Sequence, residues 1–524
     1  MSISSRTYFA RAVAACAALG FALAPLTAQT ASRPSDTQLA ASVDSLVQDA
    51  MRHGLAPGFG LALVHDGRVL LQRAYGYANV SRGVRATTDT RWYVASTSKS
   101  FTGFAMTLLA HEGALPFDTP MRDALPGVNW APGVHPESLT VAHMLSHTHA
   151  LDDRVVVISS AFTGAVPEPQ WPSLLQQVRL GRRGALIYSN FGYNVAGMIL
   201  DRRSTGGWRR VLDSAVFAPA GMRHTTAALS TVPANRLALP HDYAAAGFRA
   251  QPFDKRDATM HAAGGHVATL SDLARWVIVH TDSGRLNGTQ LFPASAVRRA
   301  QQLLATHTEN IGRRFGSFDR EGWGAGWDIG SYEGTPMVSR FGGYASMRSH
   351  LSFLPSRRMG VVAMSNGGFG PSLTDIVATF AYDLDAGRPD ATSRAKRRVD
   401  SLLARLPDAR RAALQADSAT RAQERTGPGV PTAMLVGRYE SPDMGTLEFT
   451  PARAGTNSSV PLRYSWGVLR GALRTLDSAT GRYRLAGGGT DFPVQFEWDG
   501  TPGAAPAVAV LVNGRRVPRA NTPQ

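Results

Sequence analysis

Cysteine occurs once in the 524 residues, at Cys16, and only three of the 55 basic side chains are lysine: Lys99, Lys255 and Lys396. Long apolar runs are as scarce. The stretch from Ala12 to Ala28, preceded by Arg6 and Arg11, reads as a targeting segment of residues 1–28, and no second uninterrupted apolar run approaches the ~20 residues a membrane helix needs. A periplasmic or secreted protein without a transmembrane span is therefore expected. The order Val13-Ala14-Ala15-Cys16 resembles a lipoprotein-processing site, although Arg11 leaves a short apolar segment before it, so lipid attachment is the less favoured alternative. With cleavage near Ala28 the remaining chain has no cysteine, which excludes disulfides, thiol catalysis and cysteine-ligated metals together.

Acidic residues are also outnumbered. The formal charge is +16, and it remains strongly positive without Arg6 and Arg11. The arginines are scattered, with only short clusters such as Lys396-Arg397-Arg398, so nucleic acid is not an expected partner. The near-absence of lysine is more informative. Where a fixed positive charge suffices, arginine has taken the position; a retained lysine points to something arginine cannot do, such as losing a proton.

Hydrophobic residues make up 44% and charged residues 18% of the chain, a globular balance in a length that calls for a large domain and an appendage. Ser35-Asp36 is placed to cap a helix whose apolar positions Leu39, Val43, Leu46, Val47 and Met51 follow the 3.6-residue period. Strand-rich segments 59–64 and 69–75 flank the hairpin turn Asp66-Gly67. Helical patterns follow at 96–109, 141–145, 194–201 and 271–280, and strands return at 337–341, 350–353 and 359–365. The class is α+β: an antiparallel sheet made from both ends of a 35–385 domain, with helices inserted between. Residues 386–430 read as a solvated helical linker. Short strand candidates at Tyr439, 447–449, 462–466, 483–485, 492–498 and 508–512 make residues 431–524 a small, barrel-like β domain.

Ser96-Thr97-Ser98-Lys99 opens the 96–109 helical pattern. A spacing of three places hydroxyl and amine on one helical face, and a helix N-terminus aims backbone N–H groups at an oxyanion formed beside Ser96. Serine needs a base to become a nucleophile, and a desolvated lysine can serve. Tyr188-Ser189-Asn190, after the Gly181-Arg182-Arg183-Gly184 turn, adds a phenol able to relay a proton and an amide able to accept from and donate to a substrate.

These two elements, in this order, resemble the family of class C β-lactamases, DD-peptidases and related esterases. Pro57-Gly58-Phe59, Leu145-Ser146-His147-Thr148, Gly221-Met222, Ala263-Gly264-Gly265 and Ser365-Asn366 resemble the family in sequence, and the likeness runs from about Leu39 to Asp385. It implies a β-lactamase/transpeptidase-like fold and an acyl-enzyme hydrolase with Ser96, Lys99 and Tyr188 catalytic and Asn190 binding substrate. The family's third element, a Lys- or His-containing triad ending in glycine, is matched by Arg340-Phe341-Gly342 followed by Gly343, or one residue later by Phe341-Gly342-Gly343. Arginine there could hold a substrate carboxylate, and the phenylalanine could narrow the pocket. In either register an N–H near Gly343 would pair with that of Ser96 as the oxyanion hole.

The resemblance accounts for His143, His147 and His149 as a helix end entering a loop, so neither metal nor cofactor is expected. Trp323 and Trp327 are read as packing, with Trp327 a candidate for the pocket edge. The expected partner is a small-molecule or peptide substrate, and the oligomeric state is left open. The alternative to an enzyme is a noncatalytic penicillin-binding or sensor protein on the same fold, for which Arg340-Phe341 is the main support.

Overall fold

The computed structural model describes residues 33–152, 154–181, 185–245, 247–307, 314–315, 317–452, 461–487 and 490–520. The expected leader, residues 1–28 with Cys16, and Arg182, Arg183 and Gly184 lie outside the described residues. Helix α1 (Asp36–Arg52) begins at Ser35, whose hydroxyl and Gln38 form a reciprocal capping box. Its buried stripe, Leu39, Val43, Val47 and Ala50, packs on the central sheet.

That sheet joins the two ends of the domain. Strands β1 (Gly58–His65) and β2 (Arg68–Asn79) form the hairpin turned at Asp66-Gly67, with short β3 (Val84–Arg85) beyond β2. On the other side lie β4 (Ala305–Thr306), β5 (Phe318–Trp323), β6 (Asp328–Tyr332), β7 (Thr335–Tyr344), β8 (Met347–Leu354) and β9 (Met359–Ser365). The order is β4-β5-β6-β7-β8-β9-β1-β2-β3, antiparallel throughout, and Phe59 pairs with Ser365 where the early and late segments meet.

One sheet face packs on α1, α5 (Gly370–Asp385) and α6 (Ala391–Arg425). The other covers α2 (Ser98–His111) and α4 (Leu270–Thr281), beyond which stands α3 (Phe191–Asp201). Period-two alternation divides β7 between these faces. Arg340 and Gly342 look toward α2, while Phe341 enters the opposite core, stacked on Phe318 at 5.8 Å and edge-on to His350 at 4.8 Å.

Two expectations are corrected here. The expected solvated linker is one helix whose first half is packed: Ala391, Ala395, Val399, Leu402 and Leu406 are buried against α5. Their 4-4-3-4 spacing is an apolar stripe hidden by the surrounding arginines, and burial stops at Pro407. Trp327 is wholly buried between His280 and Phe353 and does not edge a pocket.

After α6, eight antiparallel strands run in sequence order: β10 (Gly437–Ser441), β11 (Gly445–Pro451), β12 (Leu462–Trp466), β13 (Leu469–Asp477), β14 (Arg482–Gly487), β15 (Thr490–Glu497), β16 (Ala509–Val512) and β17 (Arg515–Pro518). A bridge between Tyr439 and Arg519 nearly closes them into a barrel. Its interior is filled by Tyr439, Phe449, Tyr464, Trp466, Phe492 and Phe496 among others. The barrel seats on segment 158–166: the Val468 N–H donates to the Thr163 carbonyl at 2.7 Å, and a Cβ on Gly467 would lie 1.9 Å from that same oxygen. Glycine is required at 467 by this contact and by its positive φ of 56°.

Candidate active site

Ser96 stands in a tight 3-10 turn, 95–97, immediately before α2. The preceding residue, Ala95, has φ +46°, a left-handed conformation that costs a non-glycine residue about 1 kcal/mol or more. The turn is clamped from β7 and β8. Ser349 Oγ donates to the Val94 carbonyl at 2.7 Å and lies 2.8 Å from Thr97 Oγ1. Gly342 presses so close that a Cβ would meet the Val94 oxygen at 2.1 Å and the Ser96 nitrogen at 3.0 Å. Gly343, exposed at the mouth, has only the Met347 oxygen within reach of a Cβ, at 3.8 Å.

The distances around Ser96 bring three distant segments together. Lys99 Nζ donates to Ser96 Oγ at 3.2 Å, to Asn190 Oδ1 at 2.6 Å and to the Ala263 carbonyl at 2.8 Å. Its side chain is fully buried, and the ammonium stands 4.9 Å from the centre of the Tyr188 ring. Tyr188 donates from its hydroxyl to Ser96 Oγ at 2.7 Å. Asn190 sits at the N-terminal cap of α3, and Ser189 Oγ accepts from the Phe191 N–H at 3.2 Å. The local sequence explains the placement: Ser189 supplies the helix start and leaves Tyr188 projecting from the preceding loop.

Arg340 closes the group from β7. Its Nε donates to the Ser96 carbonyl at 2.8 Å, one terminal nitrogen to Tyr188 Oη at 2.6 Å and the other to Asp328 Oδ2 at 3.0 Å. Asp328 in turn accepts from Arg320 Nε at 2.6 Å. Arg340 is 3% and Asp328 1% exposed. Of the two registers considered for the third motif, the one beginning at Arg340 puts its first side chain at Ser96 and its glycine against the nucleophile turn. The expected narrowing by Phe341 does not occur, since alternation sends that ring to the far face. Arg340, expected to hold a substrate carboxylate, donates from each of its nitrogens to groups within the protein.

These charges reset the phenol. Although 43% of the Tyr188 surface is exposed, its hydroxyl points inward. Burial there pushes its pKa up, but the Arg340 and Lys99 cations and its hydrogen bonds outweigh that cost and lower it to about 8. His147, buried beneath the Tyr188 ring at 4.7 Å and edge-on to Trp323 at 4.4 Å, is held well below the usual histidine range by burial and by the Lys99 and Arg340 charges. It is a neutral floor for the phenol. The Ser189 N–H approaches its Nδ1 at 3.3 Å. No group of three or more potential metal ligands occurs among the described residues.

Asp328, Arg320, His147 and Trp323 were not singled out as site residues by sequence. An aspartate at a strand start carries no motif; only knowledge that β6 neighbours β7 reveals it.

The second retained lysine lies in a different setting. Lys255, 2% exposed, donates to the Ala161 carbonyl and faces the rings of Tyr344, Phe162 and Tyr93 at 4.3, 5.2 and 5.8 Å. Burial lowers its pKa to about 7, opposed in part by Asp254. Ala161 belongs to the segment on which the barrel is seated.

A serine one helical turn from a buried lysine, with a tyrosine and an asparagine from the start of α3, on a sheet built from both chain ends, defines a class: the chain belongs to the beta-lactamase family, whose model matches residues 43–384. It is 25% identical over 338 residues to penicillin-binding protein 4 of Amycolatopsis lactamdurans, spanning 61% of this chain and 84% of that one. The octameric penicillin-binding protein homologue from Pyrococcus abyssi shares the fold with TM-score 0.56 at 18% identity, over 91% of this chain and 99% of that one. EstCE1, a hydrolase with promiscuous acyltransferase activity, matches with TM-score 0.56 at 20% identity, over 68% and 99%. The family is one of acyl-transfer enzymes of the serine hydrolase type, and the two solved structures share its fold.

Proposed function

We propose that the protein is an exported serine hydrolase working through an acyl-enzyme at Ser96 on an amide, lactam or ester carbonyl. The observation that carries this is the convergence of Lys99 and Tyr188 on Ser96 Oγ, at 3.2 and 2.7 Å. With Lys99 as the neutral amine, Ser96 Oγ attacks the carbonyl carbon while the amine lone pair takes the serine proton. The oxyanion is met by the N–H groups of Ser96 and of the strand at Gly343. As the tetrahedral intermediate collapses, the bond to the leaving group breaks and Tyr188 delivers the proton to it. Water then attacks the acyl-enzyme, giving up its proton through the same pair and restoring the serine hydroxyl. Asn190 holds Lys99 in line and presents its amide to the substrate.

The domain reading that goes with this is a removable leader at 1–28, a hydrolase domain at 35–385, a connecting helix within 386–430 and a barrel domain from 431. No described helix is long and apolar enough to cross a membrane.

The test is intact-protein mass spectrometry after exposure to a fluorophosphonate. One adduct is expected on the native protein and none on Ser96→Ala. An adduct of equal yield on Ser96→Ala would assign the nucleophile elsewhere, and a native protein that never reacts would favour a binder on the same fold.

A further inference from the structure

On sequence, Arg340 offers a cation for a substrate carboxylate; its surroundings remove that offer. A guanidinium carries five N–H donors on three nitrogens, and in Arg340, only 3% exposed, each nitrogen has a partner within the protein. Here Nε is taken by the Ser96 carbonyl, one terminal nitrogen by Asp328 and the other by Tyr188. Asp328 is itself buried and fixed from behind by Arg320. The other third-motif positions supply no replacement: Phe341 lies in the opposite core, and Gly342 and Gly343 bring only backbone. Thr97, the next residue in the chain after Ser96, is fully buried with its hydroxyl against Ser349.

Building on the reading of Ser96 as nucleophile, we propose that Asp328 commits Arg340 to the protein, so that this site takes carbonyl substrates with no carboxylate beside the scissile bond, neutral carboxylic esters foremost. Asp328 is then a positioning and specificity residue acting through Arg340. In the reaction the ester C–O bond breaks, the alcohol leaves with a proton from Tyr188, and water releases the acid while the serine proton is restored. Because Arg340 is spent on Tyr188, the same contact that denies a carboxylate its anchor keeps the phenol acidic, in line with its lowered pKa.

The experiment compares a matched pair, an N-acylglycyl thiolactate depsipeptide with a free terminal carboxylate and its methyl ester, on the full-length protein. The native enzyme is expected to show kcat/KM at least about tenfold higher for the methylated compound. Asp328→Asn, which loosens Arg340, should shift that ratio at least about tenfold toward the free carboxylate and move the pH profile of kcat upward as the phenol regains its ordinary acidity. A native preference for the free carboxylate overturns the proposal whether or not Asp328→Asn folds, and so does an unchanged ratio in a folded Asp328→Asn. If neither compound turns over, their competition against fluorophosphonate labelling of Ser96 gives the ratio of their affinities, and tighter binding of the free carboxylate overturns the proposal. Retention of turnover in Ser96→Ala would instead overturn the nucleophile assignment, a distinct failure.

Discussion

Lys99 and Lys255 are both buried, both surrounded by aromatic rings and both kept in a chain whose other basic residues are arginine except for the exposed Lys396, yet their surroundings differ in kind. Around Lys99 three oxygens accept from the ammonium, one of them the Ser96 hydroxyl. Lys255 is bonded to the Ala161 carbonyl and otherwise faces rings. A compact amine serves in each place for a separate reason: at Lys99 it can exchange a proton with a reacting oxygen, and at Lys255 it is small enough to be enclosed beneath the barrel seat. Scarcity of lysine marks both positions, but only geometry separates a proton carrier from a packing element.

Exchanging each for arginine gives the largest contrast. Lys99→Arg should lower kcat/KM for an activated ester by about 10³-fold or more, because guanidinium stays protonated. Lys255→Arg should leave the folded enzyme active while lowering stability by about 1–3 kcal/mol in urea unfolding, the usual cost of overpacking. Equal loss of acylation in both would break the distinction.

Next in size is Tyr188→Phe. It should reduce kcat by about 10²-fold with an ethyl ester, whose leaving group needs a proton, and by markedly less with a p-nitrophenyl ester, whose leaving group does not. Equal losses on the two esters would remove Tyr188 as the donor.

A third measurement addresses Lys255 alone. Its pKa is lowered to about 7 in the fold, against about 10.4 in an unfolded chain. Between those values the unfolded state binds more protons, so native stability should rise with pH, by at most about 1.4 kcal/mol per pH unit. Lys255→Met should lack this rise; parallel stability curves from pH 6.5 to 9 would mean that Lys255 stays charged in the fold.

The smallest effect belongs to Tyr344→Leu, which removes the nearest ring from Lys255. A loss of about 1 kcal/mol is expected at pH 6, where the ammonium is present, and less at pH 9. A loss independent of pH would reduce Tyr344 to packing alone.

Much of this arrangement was legible in the chain. The Ser96–Lys99 spacing, the Tyr188-Ser189-Asn190 run and the Asp66-Gly67 hairpin depend on local geometry, which sequence encodes directly. So does the pairing of the β1–β2 hairpin with the late strands, given their apolar character. What was illegible depends on neighbours across the sheet. Asp328 belongs to an unremarkable strand start until β6 is laid beside β7, and the direction of Phe341 follows only once Arg340 is fixed inward. The buried half of α6 was obscured because five small or aliphatic residues were diluted by charges. In the barrel, β13 and β17 escaped notice: Gly471 and two arginines, Arg470 and Arg474, interrupt the first pattern, and the second buries little beyond Val517.

The seat of the barrel also bears on how such a protein can be recombined. At Gly467 the contact is backbone against backbone, with the Thr163 oxygen where any side chain would begin. No change in a neighbouring residue's side chain makes room for a substituent there. A transplanted barrel would therefore have to arrive with its own glycine turn matched to the recipient's 158–166 segment. Module and platform form a paired cassette, and swapping one without the other should yield a chain with two intact halves and a misfitted joint.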